Sequence, residues 1–187
     1  MRQTAGIVLS LFLFAGLTVA QIPTSGNVFV GYSYMNTNVA PSRSGLNGWE
    51  ATAEGKILPF IGIAADFSSY YGTPNFPLPV QPPCTTPPCP AQTVNFSANQ
   101  ENYLFGPRVS ISVSKFRPFA EALFGAGHIN AHSAGTSTTF ATAIGGGLDY
   151  KLFHILAWRF QGDYLRTSFF SSTQANVRLT TGIVVRF

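Results

Sequence analysis

From Gln174 to Phe187 the chain alternates apolar and polar positions with a period of two. Val177, Leu179, Thr181, Ile183, Val185 and Phe187 share one parity, and Arg178, Thr180, Gly182, Val184 and Arg186 share the other. That period belongs to a strand with two unlike faces. In a soluble sandwich the apolar face turns inward, whereas in a transmembrane barrel it meets lipid and the polar face lines the lumen. The segment is long enough for the ~9 to 11 residues of a tilted spanning strand.

The same alternation predicts strands over residues 27–35, 49–56, 60–69, 99–110, 118–128, 139–150 and 155–166, which with 174–187 makes eight. The links after the second, fourth and sixth strands are tight. Those after the first, third, fifth and seventh are longer and rich in Ser, Thr, Gly, Asn or Pro. Short turns alternating with long loops are the rhythm of outer-membrane barrels, whose turns face the periplasm. The expected fold is all-β: an eight-stranded antiparallel transmembrane up-and-down β-barrel. The expected location is the cell outer membrane, with both termini periplasmic.

Ahead of the strands, Met1–Gln3 carry one arginine and Ala5–Ala20 form an apolar run ending in small residues before Gln21. Sixteen residues fall short of the ~20 that a spanning helix needs. Residues 1–20 are therefore expected to be a cleaved secretory signal, which leaves 21–187 as one barrel domain.

Composition sharpens the choice between lipid and water. Charged residues make up 10% of the chain, against about 25% in an ordinary soluble domain. Something other than water must cover much of the surface, and a closed barrel leaves no backbone edge unpaired in lipid. The net charge of +4 is scattered, so no nucleic-acid partner is expected.

Parity also sorts the eleven basic and seven acidic residues. The face opposite the apolar one collects Glu50, Glu54, Lys56, Asp66, Arg108, Glu121, Asp149, Lys151, Arg159, Asp163, Arg178 and Arg186, twelve of these eighteen and balanced in sign. Arg43 falls in a loop, Lys115 and Arg117 at a turn, and Glu101 and Arg166 near the outer rim. A soluble barrel would concentrate charge in its loops and on its outer wall. Here the charges are expected inside, as an ion-pair network filling a narrow lumen. The apolar parity holds Val28, Val30, Tyr32 and Tyr34; Ile61, Ile63 and Phe67; Tyr103, Phe105 and Val109; Ala120, Ala122 and Phe124; Ile144, Leu148 and Tyr150; Leu156, Trp158, Phe160 and Tyr164. Several of these aromatics fall near strand ends, where amphipathic rings suit a membrane interface.

Together the eight strands, the leader, the Gly-rich segment Ala143–Tyr150, the segment Ala157–Tyr164 and the terminal Val185-Arg186-Phe187 look like the small outer-membrane β-barrel proteins of the OmpA/OmpX-like type. The resemblance spans nearly all of residues 26–187. It implies that Phe187 belongs to the assembly signal read by the barrel-assembly machinery. It departs from full-length OmpA in its ending, since no peptidoglycan-binding domain follows, and a cell-wall tether is not implied.

Residues with reactive chemistry are few. Cys84 and Cys89 sit in a proline-rich stretch of the longest external loop, where export favours a disulfide. Closing so short a ring restricts the unfolded loop by on the order of 2 kcal/mol. Two thiols alone lack the remaining ligands of a zinc site. The prolines suit a stiff protrusion, and a loop without a partner fits them equally. His128 and His132 lie four apart, about 13 Å along a strand, too far to share a metal unless the strand has ended and the loop folds back. His132 and Ser133 would point oppositely in a strand, with no acidic residue beside them, so neither catalysis nor a cofactor is expected.

Two functions of different kinds follow. One is a structural or surface-interaction barrel that is plugged and holds its loops outside the cell. The other is a narrow porin-like conduit for ions or small solutes, kept open by the small inward residues Ala141, Ala143, Gly145 and Gly147. The expected partners are outer-membrane lipid and, during insertion, the assembly machinery; no surface partner is named by the residues.

Overall fold

The computed structural model describes residues 25–37, 44–72, 75–77, 93–95, 97–131, 135–169 and 173–187. Residues 1–20, Cys84, Cys89, His132 and Ser133 lie outside the described residues. The strands are β1 (Gly26–Thr37), β2 (Ser44–Lys56), β3 (Ile61–Gly72), β4 (Asn75–Pro77), β5 (Thr93–Asn95), β6 (Ala98–Ser110), β7 (Phe116–Ala131), β8 (Gly135–Lys151), β9 (Leu156–Thr167) and β10 (Gln174–Arg186). Eight of them close into a barrel in the order β1-β10-β9-β8-β7-β6-β3-β2, every pair antiparallel. This is the up-and-down eight-stranded barrel that the alternation predicts. β4 and β5 form a separate two-stranded ribbon inside the longest link, an addition its prolines obscured.

Alternation survives because closure gives every strand one inner and one outer face. Outward positions such as Ile144 (63% exposed), Phe160 (59%) and Leu179 (56%) remain uncovered, while their neighbours Ala143, Arg159 and Arg178 are fully buried. Outward rings pack across strands in tilted pairs, Trp49 with Phe67 at 5.0 Å and Phe67 with Tyr103 at 4.9 Å between centroids. Such cross-strand pairs each add a fraction of a kcal/mol, roughly 0.2 to 1. Between β6 and β7 the ladder is interrupted at Gly106–Pro107 and resumes in the same register at Arg108↔Glu121. Proline has no N–H to give the ladder.

The links alternate in kind, with one qualification. At one end the turns are 57–60, 111–115 and 152–155. Ser114 there takes a left-handed φ of 56°, which lets Val113 and Phe116 exchange backbone hydrogen bonds. At the other end β7 and β8 run on beyond the predicted 128 and 139, pairing through Ala131↔Gly135. The link after the fifth barrel strand is therefore a projecting hairpin and not the long loop expected. The added β8 residues, Gly135, Thr136, Ser137 and Thr138, lack the apolar alternation that marks a strand, and on β7 Ile129, Asn130 and Ala131 are too few to show a period. Gly26 and Phe187 meet at the short-turn end, where the Gly26 N–H donates to the Phe187 carbonyl at 2.8 Å and the Phe187 N–H to the Gly26 carbonyl at 3.1 Å.

Candidate functional site: a charged network inside the barrel

Opposite charges are placed face to face by register alone. Arg178 pairs with Asp163, Arg108 with Glu121 and Arg159 with Asp149 as direct cross-strand neighbours. Their side chains point inward on adjacent strands, so the pairing is local before it is long-range.

Two clusters result. In the first, Arg178 on β10 reaches Asp163 on β9 at 2.8 Å, Asp66 on β3 at 3.0 Å and Glu50 on β2 at 3.4 Å. One guanidinium thereby ties four strands. Glu50 also accepts from Thr180 Oγ1 at 2.8 Å and from Gln161 Nε2 at 3.1 Å. In the second, Arg108 Nε donates to Glu121 at 2.6 Å and Arg117 Nη2 to Glu54 at 3.1 Å. Arg159 grips Asp149 with Nε at 2.7 Å and Nη2 at 3.1 Å. Asn27 joins them, donating to Glu54 at 2.7 Å while accepting from Arg159 at 3.4 Å. Gln161 bridges the clusters, its amide lying 2.9 Å from Glu121 and 2.8 Å from Asp163.

Aromatic and aliphatic side chains fill the remaining inner positions. The Phe119 ring lies between Arg108 (4.7 Å) and Arg159 (4.5 Å), and Phe29 lies 5.0 Å from Arg159, distances at which a ring face attracts a cation. Toward the other end Met35, Leu46, Tyr70, Leu104, Leu123 and Leu165 form a buried apolar cluster. Tyr70 and Thr180 each lie 2.8 Å from Ser33 Oγ. The inner face is therefore not purely polar, since a cylinder of eight strands is narrow enough to be filled by side chains of either kind.

The small residues of β8 are covered by their neighbours. A Cβ at Gly145 would overlap the Asp163 carboxylate, and one at Gly147 would come 2.8 Å from the Phe119 ring. These glycines make room for groups already present.

Ten of the twelve inward charges named from parity lie in these clusters: Glu50, Glu54, Asp66, Arg108, Glu121, Asp149, Arg159, Asp163, Arg178 and Arg186, the last half-buried and 3.2 Å from Asp149. Two depart. Lys151 is the last residue of β8 and exposed; it shares a parity with Asp149, but the strand ends there and its long side chain reaches open space. Lys56, the last residue of β2, donates to the Pro59 carbonyl at 2.8 Å and meets no carboxylate in an ion pair among the described residues. One residue assigned to a turn belongs inside. Arg117 is 6% exposed and bound to Glu54, because β7 starts two residues before Pro118, which gives Arg117 the parity of Glu121. The neutral Asn27 and Gln161 escaped a search confined to charges. His128 stands at the rim with its Nδ1 2.8 Å from Thr138 Oγ1. Phe187 is 65% exposed beside Gly26.

No family profile matches the chain, and no curated protein matches it by sequence. Solved structures do match. Neisserial surface protein A superposes with a TM-score of 0.64 at 11% identity, over 87% of this chain and 97% of that one. Ail, the attachment invasion locus protein of Yersinia pestis, was solved in complex with the heparin analogue sucrose octasulfate; it superposes with a TM-score of 0.58 at 13% identity, over 87% and 98%. The outer membrane protein OprG of Pseudomonas aeruginosa gives 0.58 at 8%, over 87% and 95%. The shared feature is the fold of small eight-stranded barrels.

Proposed function

We propose that this chain, folded like the small eight-stranded barrels of bacterial surfaces, is an outer-membrane protein whose barrel is plugged and whose role is structural or surface-interacting. The observation that carries the reading is Arg178, fully buried and held at once by Asp163, Asp66 and Glu50 from three other strands. A solute path would have to part that clasp, and leaving the charges without partners costs ~3 to 5 kcal/mol. The apolar outer wall supports lipid as its surroundings, since an eight-stranded barrel with charge inside and Ile, Phe and Leu outside is the arrangement a bilayer selects. The glycines of β8, which favoured a conduit, are overlain by Asp163 and Phe119. Holding the loops of the long-link end outside the cell is then the task of the barrel. With Gly26 and Phe187 meeting at the short-turn end, we read that end as the periplasmic one. Planar-bilayer recordings of the refolded protein test this: the plugged reading expects no steady unitary conductance, and a reproducible one would replace it with the conduit.

A further inference from the structure

The lumen leaves unexplained a group of cations outside it, at the short-turn end. The turns 111–115 and 152–155 lie side by side, joined where the Lys151 N–H donates to the Lys115 carbonyl at 2.8 Å. The Phe116 and Tyr150 rings pack at 5.3 Å just above this junction. Between the turns lies a hollow of about 550 Å³, lined among others by Lys115, Lys151, His154, Tyr150, Leu152 and Phe153.

The lining has one sign of charge. Lys115, Lys151 and His154 are exposed, and neither lysine has a carboxylate partner among the described residues. Residues 109–120 and 150–162 contain no Asp or Glu at all, and the nearby Asp149 is already engaged by Arg159 and Arg186. Two ammonium groups, with an imidazole beside them, around one hollow form a cradle for an anion, and the repulsion between the two lysines is relieved when one enters. Beside them Leu152 and Phe153 are 44% and 68% exposed. Apolar tips interleaved with snorkelling lysines match the boundary between lipid headgroups and acyl chains. A free phosphate would satisfy the cations and leave both apolar side chains in water. A phospholipid would satisfy both.

We propose that this hollow binds the phosphate of an anionic phospholipid in the leaflet at the short-turn end, with Lys115 and Lys151 on the phosphate, His154 beside them, and Leu152 and Phe153 against the acyl chains. The proposal rests on the membrane reading above and goes beyond it in naming a lipid class and a site. Both turns are anchored by backbone hydrogen bonds, so little ordering opposes binding.

The test follows amide resonances of the intact refolded barrel in phosphatidylcholine nanodiscs during three titrations: short-chain phosphatidylglycerol, short-chain phosphatidylcholine and inorganic phosphate. Saturable shifts confined to residues 113–116 and 150–155 are expected with phosphatidylglycerol, at concentrations about tenfold or more below the other two. The double variant Lys115→Gln, Lys151→Gln should lose that preference while its strand resonances stay in place, since both side chains are exposed. Equal response to the two lipids, an unaffected double variant, or inorganic phosphate as effective as the lipid would each overturn the site. Contacts between lipid chains and outward methyl groups in the same sample show separately whether the barrel is inserted: an inserted barrel without the preference refutes this site alone, and a barrel that does not insert refutes both readings.

Discussion

Replacing Arg178 with leucine should be among the most damaging single changes in this barrel. The guanidinium is fully buried, donating to Asp163 through Nε at 2.8 Å and to Asp66 through Nη1 at 3.0 Å, with Glu50 at 3.4 Å. Leucine removes the only arginine that touches Asp66, Asp163 or Glu50 among the described residues, leaving three carboxylates facing one another. Losing one partner of a buried ion pair costs ~3 to 5 kcal/mol, most of it the penalty on the charges left behind. The origin of that penalty supplies its own control. Removing the acids as well, in Arg178→Leu with Asp66→Asn and Asp163→Asn, should recover a good part of the loss, because neighbouring substitutions in one network are not additive. Equilibrium urea unfolding of the protein refolded into lipid vesicles, followed by tryptophan emission, measures all three forms. A loss below ~1 kcal/mol for Arg178→Leu, or a triple variant weaker than the wild type by the sum of three independent losses, would refute the reasoning.

Other consequences can be checked separately. Gly145→Ala should destabilise by ~1 to 3 kcal/mol as an overpacking change, since its Cβ would overlap Asp163 and the Gly162 carbonyl, whereas Gly162→Ala, whose Cβ meets only Leu179 at 3.5 Å, should stay within ~0.5 kcal/mol in the same unfolding assay. Deleting Phe187 should lower the amount of folded protein in the outer membrane more than it lowers the unfolding free energy of barrels already formed, because burial of one terminal ring is worth at most ~1.5 to 3 kcal/mol; normal accumulation of the deletion in fractionated envelopes rules out an assembly role. Cys84 and Cys89 should be joined in protein taken from the envelope, and quantitative thiol titration without reductant would expose them if they are free.

The barrel was legible in the chain because closure preserves parity. Each strand from β1 to β10, the short ribbon aside, shows a period of two that survives from sequence to coordinates, and the pairs Arg178–Asp163 and Arg108–Glu121 need only parity and register to meet. What parity could not convey lies at strand ends and in neutral residues. Lys151, Lys56 and Arg117 were misplaced because they sit at strand ends: Lys151 and Lys56 keep the inward parity but close β8 and β2 and leave the lumen, while Arg117 lies inside because β7 begins before Pro118. Pro118 looked like a beginning, yet β7 starts at Phe116. The extension of the β7–β8 hairpin was hidden because on the β8 side Gly135, Thr136, Ser137 and Thr138 alternate with nothing apolar, and Ile129 and Ala131 opposite them are too few to show a period. Phe29, Met35 and Leu165, all fully buried, show that inner positions need not be polar, since a narrow eight-stranded barrel is filled by side chains of either kind. Gln161, which reaches Glu50, Glu121 and Asp163, carries no signal in sequence beyond its inward parity.

The assignment of faces underlies everything else, and one measurement addresses it without altering a residue. In deuterated protein carrying protonated Ile, Leu and Val methyl groups and reconstituted in bilayer nanodiscs, cross-relaxation from lipid chain methylenes reports contact at a few ångströms. Ile144, Leu179 and Val30 are exposed, while Leu123, Leu165 and Val184 are fully buried. Lipid cross-peaks to the first three and none to the second three are the expected result. Lipid contacts at Leu123, Leu165 and Val184, or their absence from Ile144, Leu179 and Val30, would contradict the membrane barrel and the charged lumen together.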